Sequence, residues 1–261
     1  MDNTLANQLD DMSVDVVIPT YNCRELLIRA VDSALKQSLE VNRIIVMDDG
    51  SDKPTIDFMK EHLGSLSKVE LYYNEHSGLP GKLRGAGVRK SQAQWIAFLD
   101  SDDWWEPNKL ENQLTVARQE KVDLVCTNAE TWESGVSKGN LLNLESGSIL
   151  IQQLINDNSV INSSVLVNRL TLLRCDEFAS DFQTRGVEDY CMWLRFLSFG
   201  RIFFINKKLV NYSIQPFSIS RSFGSNPRPY ALIDYYRWLR DRKFLTRRIK
   251  KLLFKNIKNG I

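Results

Sequence analysis

From residue 14 onward the chain alternates short apolar runs with longer stretches of helical periodicity, and this alternation limits the fold more than any other feature of the sequence. Residues 14–18, 43–47, 69–73 and 95–99 are strand-sized and rich in β-branched or aromatic side chains. Between them, residues 25–36, 56–63 and 83–93 carry apolar or small side chains at helical spacing. In the first of these, Leu26, Ala30, Ser33, Ala34 and Gln37 fall on one face. Strands separated by helices need crossover connections, which bring successive strands together in parallel. The expected fold is α/β, with a Rossmann-like, mainly parallel central sheet flanked by helices.

Sheets of this kind bind ligands beyond the carboxyl ends of their strands, where the loops converge. Four consecutive strands deliver polar residues to that edge: Pro19-Thr20-Tyr21-Asn22, Asp48-Asp49-Gly50-Ser51, residues 74–78, and Asp100-Ser101-Asp102-Asp103. The last group concentrates three carboxylates. Mg²⁺ or Mn²⁺ offsets such repulsion, and is typically bound by one or two carboxylates together with substrate phosphate oxygens. The alternative is an acidic turn in which Asp103 and Glu106 serve the start of the next helix near Pro107. Asp48 and Asp49 can accept hydrogen bonds from a base imide or a ribose hydroxyl, or can belong to a plain Asp-Gly turn at Gly50.

The second half is less regular. Residues 132–147 are turn-rich, a strand is expected at 164–167, a helix at 188–198, and two strands at 201–205 and 209–212. Glu188 and Asp189 open that helix, whose apolar face includes Tyr190, Trp193, Leu194 and Leu197, so both acids could simply complement the helix dipole. Pro216 and residues 223–229 mark a loop leading into a basic C-terminal helix.

Hydrophobic content of 43% and charged content of 25% over 261 residues exclude a disordered or an integral-membrane class. The first dozen residues lack the basic start and apolar stretch of a secretory signal, and no window approaches a membrane span, so a cytoplasmic protein is expected. Cys23, Cys126, Cys175 and Cys191 are scattered without metal-ligand spacing and read as ordinary thiols. Residues 237–258 hold ten Lys or Arg and one acid, a balance of +9 that leaves −7 for the remainder of a chain whose net charge is +2. Leu245, Ile249 and Leu252 align on one face of this stretch, which suggests a peripheral contact with the inner face of the plasma membrane rather than with nucleic acid. A solvated basic helix packed on the domain is the competing reading.

Taken together and in order, VIPTYN at residues 17–22, MDDGSD at 47–52 and FLDSDD at 98–103 resemble the signatures of the family 2 glycosyltransferases of the GT-A fold. GLPGKLRGAGV at 78–88 is similar to the family's Gly-rich segment, GVEDYCMWLRF at 186–196 to its Glu-Asp helix, and LVNYSIQPFSISRS at 209–222 to its closing loop. The resemblance divides the chain into a leader (1–13), a glycosyltransferase domain (14–222, with a nucleotide-sugar half to 126 and an acceptor half from 127) and a basic helical extension (223–261). It implies that Pro19, Thr20, Tyr21 and Asp49 hold the nucleobase, with Tyr21 against its face, and that Asp48, Arg84, Asp100 and Ser101 join them around the donor. Asp102, with Asp100 beside it, is implied as the ligand of Mn²⁺ or Mg²⁺. Asp189 is implied as the general base, with Glu188 and Asp103 on the acceptor side. The sequence departs from the family where Leu83-Arg84-Gly85 replaces Ala-Arg-Asn and where Gln215 stands for a His, leaving Arg221 as the nearest cation for the phosphates.

The resemblance implies inverting transfer of a hexose or N-acetylhexosamine from a nucleotide diphosphate sugar, with UDP favoured. The implied acceptor is a glycan or polyprenyl-diphosphate-linked sugar of bacterial surface polysaccharide. Among rivals, a dinucleotide oxidoreductase lacks its Gly-x-Gly-x-x-Gly turn after the first strand. A phosphoaspartate hydrolase would carry its acidic motif after the first strand, not the fourth. A non-catalytic nucleotide-sugar binder would have lost a carboxylate at Asp102 or Asp189, and both are present.

Overall fold

The computed structural model describes residues 12–179, 182–215 and 228–258. The nucleotide half follows the expected alternation: β1 (Val14–Thr20), α1 (Glu25–Leu35), β2 (Arg43–Asp48), α2 (Lys53–Leu63), β3 (Val69–Tyr73), α3 (Pro80–Lys90) and β4 (Trp95–Phe98). It continues through β5 (Trp104–Trp105), α4 (Lys109–Glu120), β6 (Leu124–Glu133), β7 (Val136–Asn140), β8 (Gly147–Ile149) and α5 (Ile151–Asn156). A 3-10 turn at Asn162–Ser164 precedes β9 (Leu166–Asn168), α6 (Arg169–Leu173), α7 (Glu188–Phe196), β10 (Ile202–Ile214), α8 (Arg228–Asp241) and α9 (Arg247–Lys258).

One sheet runs through the molecule in the order β3-β2-β1-β4-β9-β6-β10-β5. The first four strands are parallel neighbours. Beyond β4 the pairing changes, because β9 lies antiparallel to both β4 and β6. β10 is parallel to β6 but antiparallel to β5 and β8. The α/β fold with a central sheet flanked by helices is as expected, and the sheet is mixed: β3, β2, β1 and β4 are parallel throughout, and beyond them the parallel β6–β10 pair stands among antiparallel neighbours. Crossover helices impose parallel pairing on the first four strands, whereas β9 enters from a 3-10 turn.

Both faces of the parallel part are buried, so alternate residues of one strand enter opposite cores. Val17, Ile45 and Met47 pack with α3 and α7 residues such as Leu83 and Trp193, whereas Val16, Ile18, Ile44 and Val46 pack with Leu27, Val31 and Met59. This explains why the strands read as continuous apolar runs.

Three sequence expectations change in the second half. β6 was not expected because Thr127 and Asn128 interrupt its apolar pattern, yet both are buried. The Asn128 amide donates to the Leu142 carbonyl (2.8 Å) and its oxygen accepts from the Leu142 N–H (3.0 Å). The expected division at 126/127 falls inside this strand. The two strands expected at 201–205 and 209–212 are one strand, β10, with register shifts on either side of Lys208 that turn exposed Asn206 and Lys207 out of the pattern. The single basic helix is two, α8 and α9, and Leu232, Tyr235, Trp238, Leu239 and Leu253 lie in the core beside α7. Leu245, Ile249 and Leu252 pack inward against the same core.

α3 lies against β1 only because Gly87 has no side chain: a Cβ there would meet Val17 Cγ1 at 2.5 Å. Helix propensity alone favours Gly87→Ala by about 1 kcal/mol. The clash with a fully buried strand residue opposes it, and overpacking of this kind costs roughly 1–3 kcal/mol. Gly87→Ala should lower the urea midpoint of unfolding; a raised midpoint would show that β1 and α3 separate freely.

Candidate active site

The site is built from the carboxyl ends of β1, β2 and β4, the N-terminal parts of α3 and α7, and the 3-10 turn. At the β1 and β2 tips the backbone is tied together: the Asp49 N–H donates to the Thr20 carbonyl (2.9 Å) and the Asn22 N–H to Ser51 Oγ (2.8 Å). Asp48 faces inward, accepting from the N–H groups of Gly50 (3.1 Å) and Ser51 (3.0 Å) and from the Ser51 hydroxyl. Its carboxylate is thus spent on the turn, and Gly50 takes a left-handed conformation (φ +76°) that leaves no room for a Cβ beside His76.

Asp49 performs a similar task one residue on. Its carboxylate accepts from the Ser77 N–H (2.9 Å), the Ser77 hydroxyl (2.8 Å) and the Gly78 N–H (2.8 Å), and lies 3.2 Å from His76 Nδ1. These bonds fasten the loop after β3 across the end of β2. His76 then stacks on Tyr21 with ring centroids 4.3 Å apart, and Tyr21 stays about half exposed, at 49%. A paired aromatic surface open to solvent is a platform on which a planar base can stack. Pro19 and Thr20 end β1, and the Thr20 hydroxyl oxygen is buried with no hydrogen-bond partner.

The acidic motif after β4 divides by burial. Asp100 accepts from Arg84 Nη2 (2.6 Å) and from the Asn162 amide (3.1 Å). Ser101 is half-buried and its carbonyl receives the Cys23 thiol. Asp102 receives no side-chain hydrogen bond on its carboxylate among the described residues; its backbone carbonyl accepts from Arg29 (2.6 Å), whose guanidinium lies 3.7 Å above the Trp104 ring. Burial, reinforced by the neighbouring Asp100 charge, pushes Asp102 up to about 6. Asp103 is 1% exposed and bridges the Ser163 hydroxyl (2.5 Å) and the Ser213 N–H (2.8 Å). Expected on the acceptor side, its carboxylate instead pins the β4 loop to the 3-10 turn and β10, because its burial demands those two donors.

From the opposite side, α7 brings Glu188 and Asp189. Glu188 is buried, with one oxygen accepting from the Gly186 N–H (2.7 Å) and the other unpartnered. Asp189 is half-buried and accepts only from the adjacent Tyr190 N–H (2.7 Å) among the described residues. Burial raises Asp189 to about 6, against the pull of Arg84 and with the help of the Glu188 charge. Burial also raises Glu188. Arg84 is the cation between the two acidic groups. Burial works to lower it, but the charges of Asp100, Asp189 and Glu188 outweigh burial and hold it above its ordinary value. Its Nε has no partner.

Thr20 Oγ1, Arg84 Nε, Asn162 Oδ1 and Glu188 Oε1 are all buried polar atoms left without a hydrogen bond, and all belong to this site. Such atoms are rare in folded proteins, and a ligand, an ion or an ordered water can supply the missing partner. Among the described residues no three or more metal-ligating side chains converge. A hard cation that takes most of its oxygens from phosphate and water still fits, since it needs only one or two carboxylates and Asp102 is uncompensated. Asn162 and Arg185 were not expected from the sequence, and His76 was placed at the edge within residues 74–78 without a role of its own; the Arg185 guanidinium lies 3.7 Å from where a Gly78 Cβ would stand. A polar residue in a loop gives no signal of its own until the fold places it. Arg221 lies outside the described residues.

An acidic sheet edge facing a carboxylate-bearing helix, on this topology, defines a GT-A-fold glycosyltransferase. The model described as Glycosyl transferase family 2 matches residues 15–179, and the chain belongs to that family. The chain is 28% identical over 245 residues to the Escherichia coli UDP-Glc:alpha-D-GlcNAc-diphosphoundecaprenol beta-1,3-glucosyltransferase WfgD, covering 87% of this chain and 93% of that protein. It is equally identical over 230 residues to an uncharacterized glycosyltransferase of Rickettsia bellii, covering 88% of this chain but only 32% of the relative's length. The S. aureus TarS fragment 1-349, solved in complex with UDP-GlcNAc, shares the fold at a TM-score of 0.76 and 16% identity, covering 94% of this chain and 72% of that one.

The raised values have a stability consequence. A carboxyl whose folded value exceeds its unfolded one favours the folded state when protonated. That contribution is present below the unfolded value near 4 and lost as pH rises through the folded value near 6. Asp102→Asn and Asp189→Asn should therefore each raise Tm at pH 7 and lose this advantage at pH 4. Thermal scans at both pH values would reveal a structural role instead if the variants melted lower at pH 7.

Proposed function

We propose that the chain is an inverting transferase moving a hexose or N-acetylhexosamine from a UDP-sugar to a hydroxyl of a glycan or polyprenyl-diphosphate-linked acceptor in bacterial surface polysaccharide synthesis. The observation that carries this reading is the placement of two under-compensated carboxylates, Asp102 and Asp189, at the ends of different elements with Arg84 between them. The glucosyltransferase activity for which WfgD is named and the UDP-GlcNAc complex of TarS support the donor and acceptor classes.

In this reading Tyr21, stacked on His76, receives the base, and Asp49 holds the loop that closes beside it. Asp100, fixed by Arg84 and Asn162, orients the ribose side of the donor. Mn²⁺ or Mg²⁺ held by Asp102, with Asp100 beside it, would neutralise the departing diphosphate. Asp189 takes the proton of the acceptor hydroxyl as that oxygen bonds to the anomeric carbon. The bond from that carbon to the diphosphate oxygen breaks on the opposite face, leaving UDP and an inverted centre. A base near 6 is ionised at neutral pH yet more basic than an ordinary aspartate, which suits this transfer.

Asp189→Asn should lower turnover by about 10² to 10⁴ with donor affinity nearly unchanged, and wild-type turnover should rise with pH through about 6 and then level off. Initial rates with a UDP-sugar panel and a GlcNAc-diphosphate lipid acceptor measure both; near-normal turnover of Asp189→Asn, with Glu188→Gln inactive, would reverse the two roles. Asp102→Ala should remove the extra thermal stabilisation that Mn²⁺ adds to UDP-bound protein. Full transfer in the presence of EDTA would overturn the metal assignment.

A further inference from the structure

The C-terminal helices present a face that the transfer chemistry does not use. α9 contains no acidic residue, and its Arg247, Arg248, Lys250, Lys251, Lys255 and Lys258 are all exposed, with no carboxylate at ion-pair distance among the described residues. Nearby acids are already engaged: Asp241 pairs with Arg240 and Asp176 with Arg242. Two large aromatic side chains stand exposed among these cations. Phe254 is 43% exposed on the outer side of α9, edge-on to Tyr236, and Phe244 is 43% exposed at the turn between α8 and α9. Phe244 also lines a groove of about 330 Å³ whose other walls are Ile151, Leu197, Ser198, Tyr235, Leu239 and Ile249.

We infer that this face docks onto an anionic lipid bilayer, with the α9 cations on lipid phosphates and Phe254 and Phe244 in the acyl boundary. Uncompensated positive charge selects an anionic partner, and each cation near such a surface contributes about 1 kcal/mol. Exposed phenylalanines beside an apolar groove match the layer directly beneath the headgroups, a chemistry that a phosphate backbone alone does not offer. The docking face is opposite to the one helical periodicity singles out, since Leu245, Ile249 and Leu252 are packed on the core. α9 thus binds without leaving the domain. The inference stands on these residues independently of the transfer reaction.

The test is co-sedimentation of the full chain with phosphatidylglycerol and phosphatidylcholine vesicles at low and high salt. Phosphatidylglycerol should be strongly preferred. A variant combining Arg247→Gln, Arg248→Gln, Lys250→Gln, Lys251→Gln and Lys255→Gln should bind at least about 100-fold more weakly, with unchanged circular dichroism. Phe254→Ser should weaken binding roughly fivefold, including at high salt where charge is screened. Equal binding to both lipids, wild-type binding by the charge variant, or displacement from vesicles by homopolymeric RNA would each overturn it. Failure of sugar transfer with vesicle binding intact would count against the proposed reaction and leave the docking face standing.

Discussion

Arg84 is the interaction on which the site depends. Asp100, Asp102, Glu188 and Asp189 all feel its charge, and among the described residues it donates its hydrogen bond to Asp100. Burial raises Asp102 and Asp189, and one guanidinium shared among four carboxylates does not reverse that; Asp100, which also accepts from Asn162, anchors the cation. The Gly-rich segment explains how the cation gets there. A Cβ at Gly81 would meet Glu188 Cβ at 2.8 Å and one at Gly87 would meet Val17, so these glycines let α3 wedge between α7 and β1. Arg84 rides on that helix into the gap.

The change of strand direction at β9 completes the geometry. Because β9 runs antiparallel to β4, the turn that precedes it lies at the carboxyl end of β4. Asn162 therefore reaches the Asp100 carboxylate, and the Ser163 hydroxyl donates to Asp103 while accepting from the Asp100 N–H (3.0 Å). An all-parallel continuation would send those residues to the other edge of the sheet. The mixed pairing is the device by which the second half of the chain supports the acidic motif of the first.

The first half was legible because its periodicity and its fold report the same constraint: a parallel strand covered on both faces must be apolar throughout, and the polar residues that end it must lie at the ligand edge. Tyr21, Asp49, Asp100 and Asp102 were read from those strand ends, and in the structure they follow β1, β2 and β4. What the sequence hid is polarity satisfied internally. Asn128 and Thr127 disguised β6, and Asp103 looked like a cleft carboxylate although Ser163 and Ser213 bury it. His76 was placed at that edge within residues 74–78 but given no role, because its role arises from stacking on a residue 55 positions away, a pairing created by the parallel register of β1, β2 and β3.

The C-terminal helices are packed into the same core as α7. Arg195, at the far end of α7 from Asp189, forms a two-pronged pair with Asp234 of α8 (2.6 and 2.8 Å from Nη2) and also donates to the Glu177 carbonyl (2.9 Å). Trp238 of α8 donates to Asp176 (2.7 Å), and Tyr235 and Leu239 fill the core beside it. The nine-residue α7 is buried along nearly its whole length, held by the Leu154 carbonyl at Tyr190, by Phe98 and Phe178 around Trp193, and by α8 at its far end. α9 packs on α8 and turns its charge outward. The orientation of Asp189 and the position of the cationic face therefore follow from one packed unit, so that a surface bound through α9 is rigidly registered to the cleft.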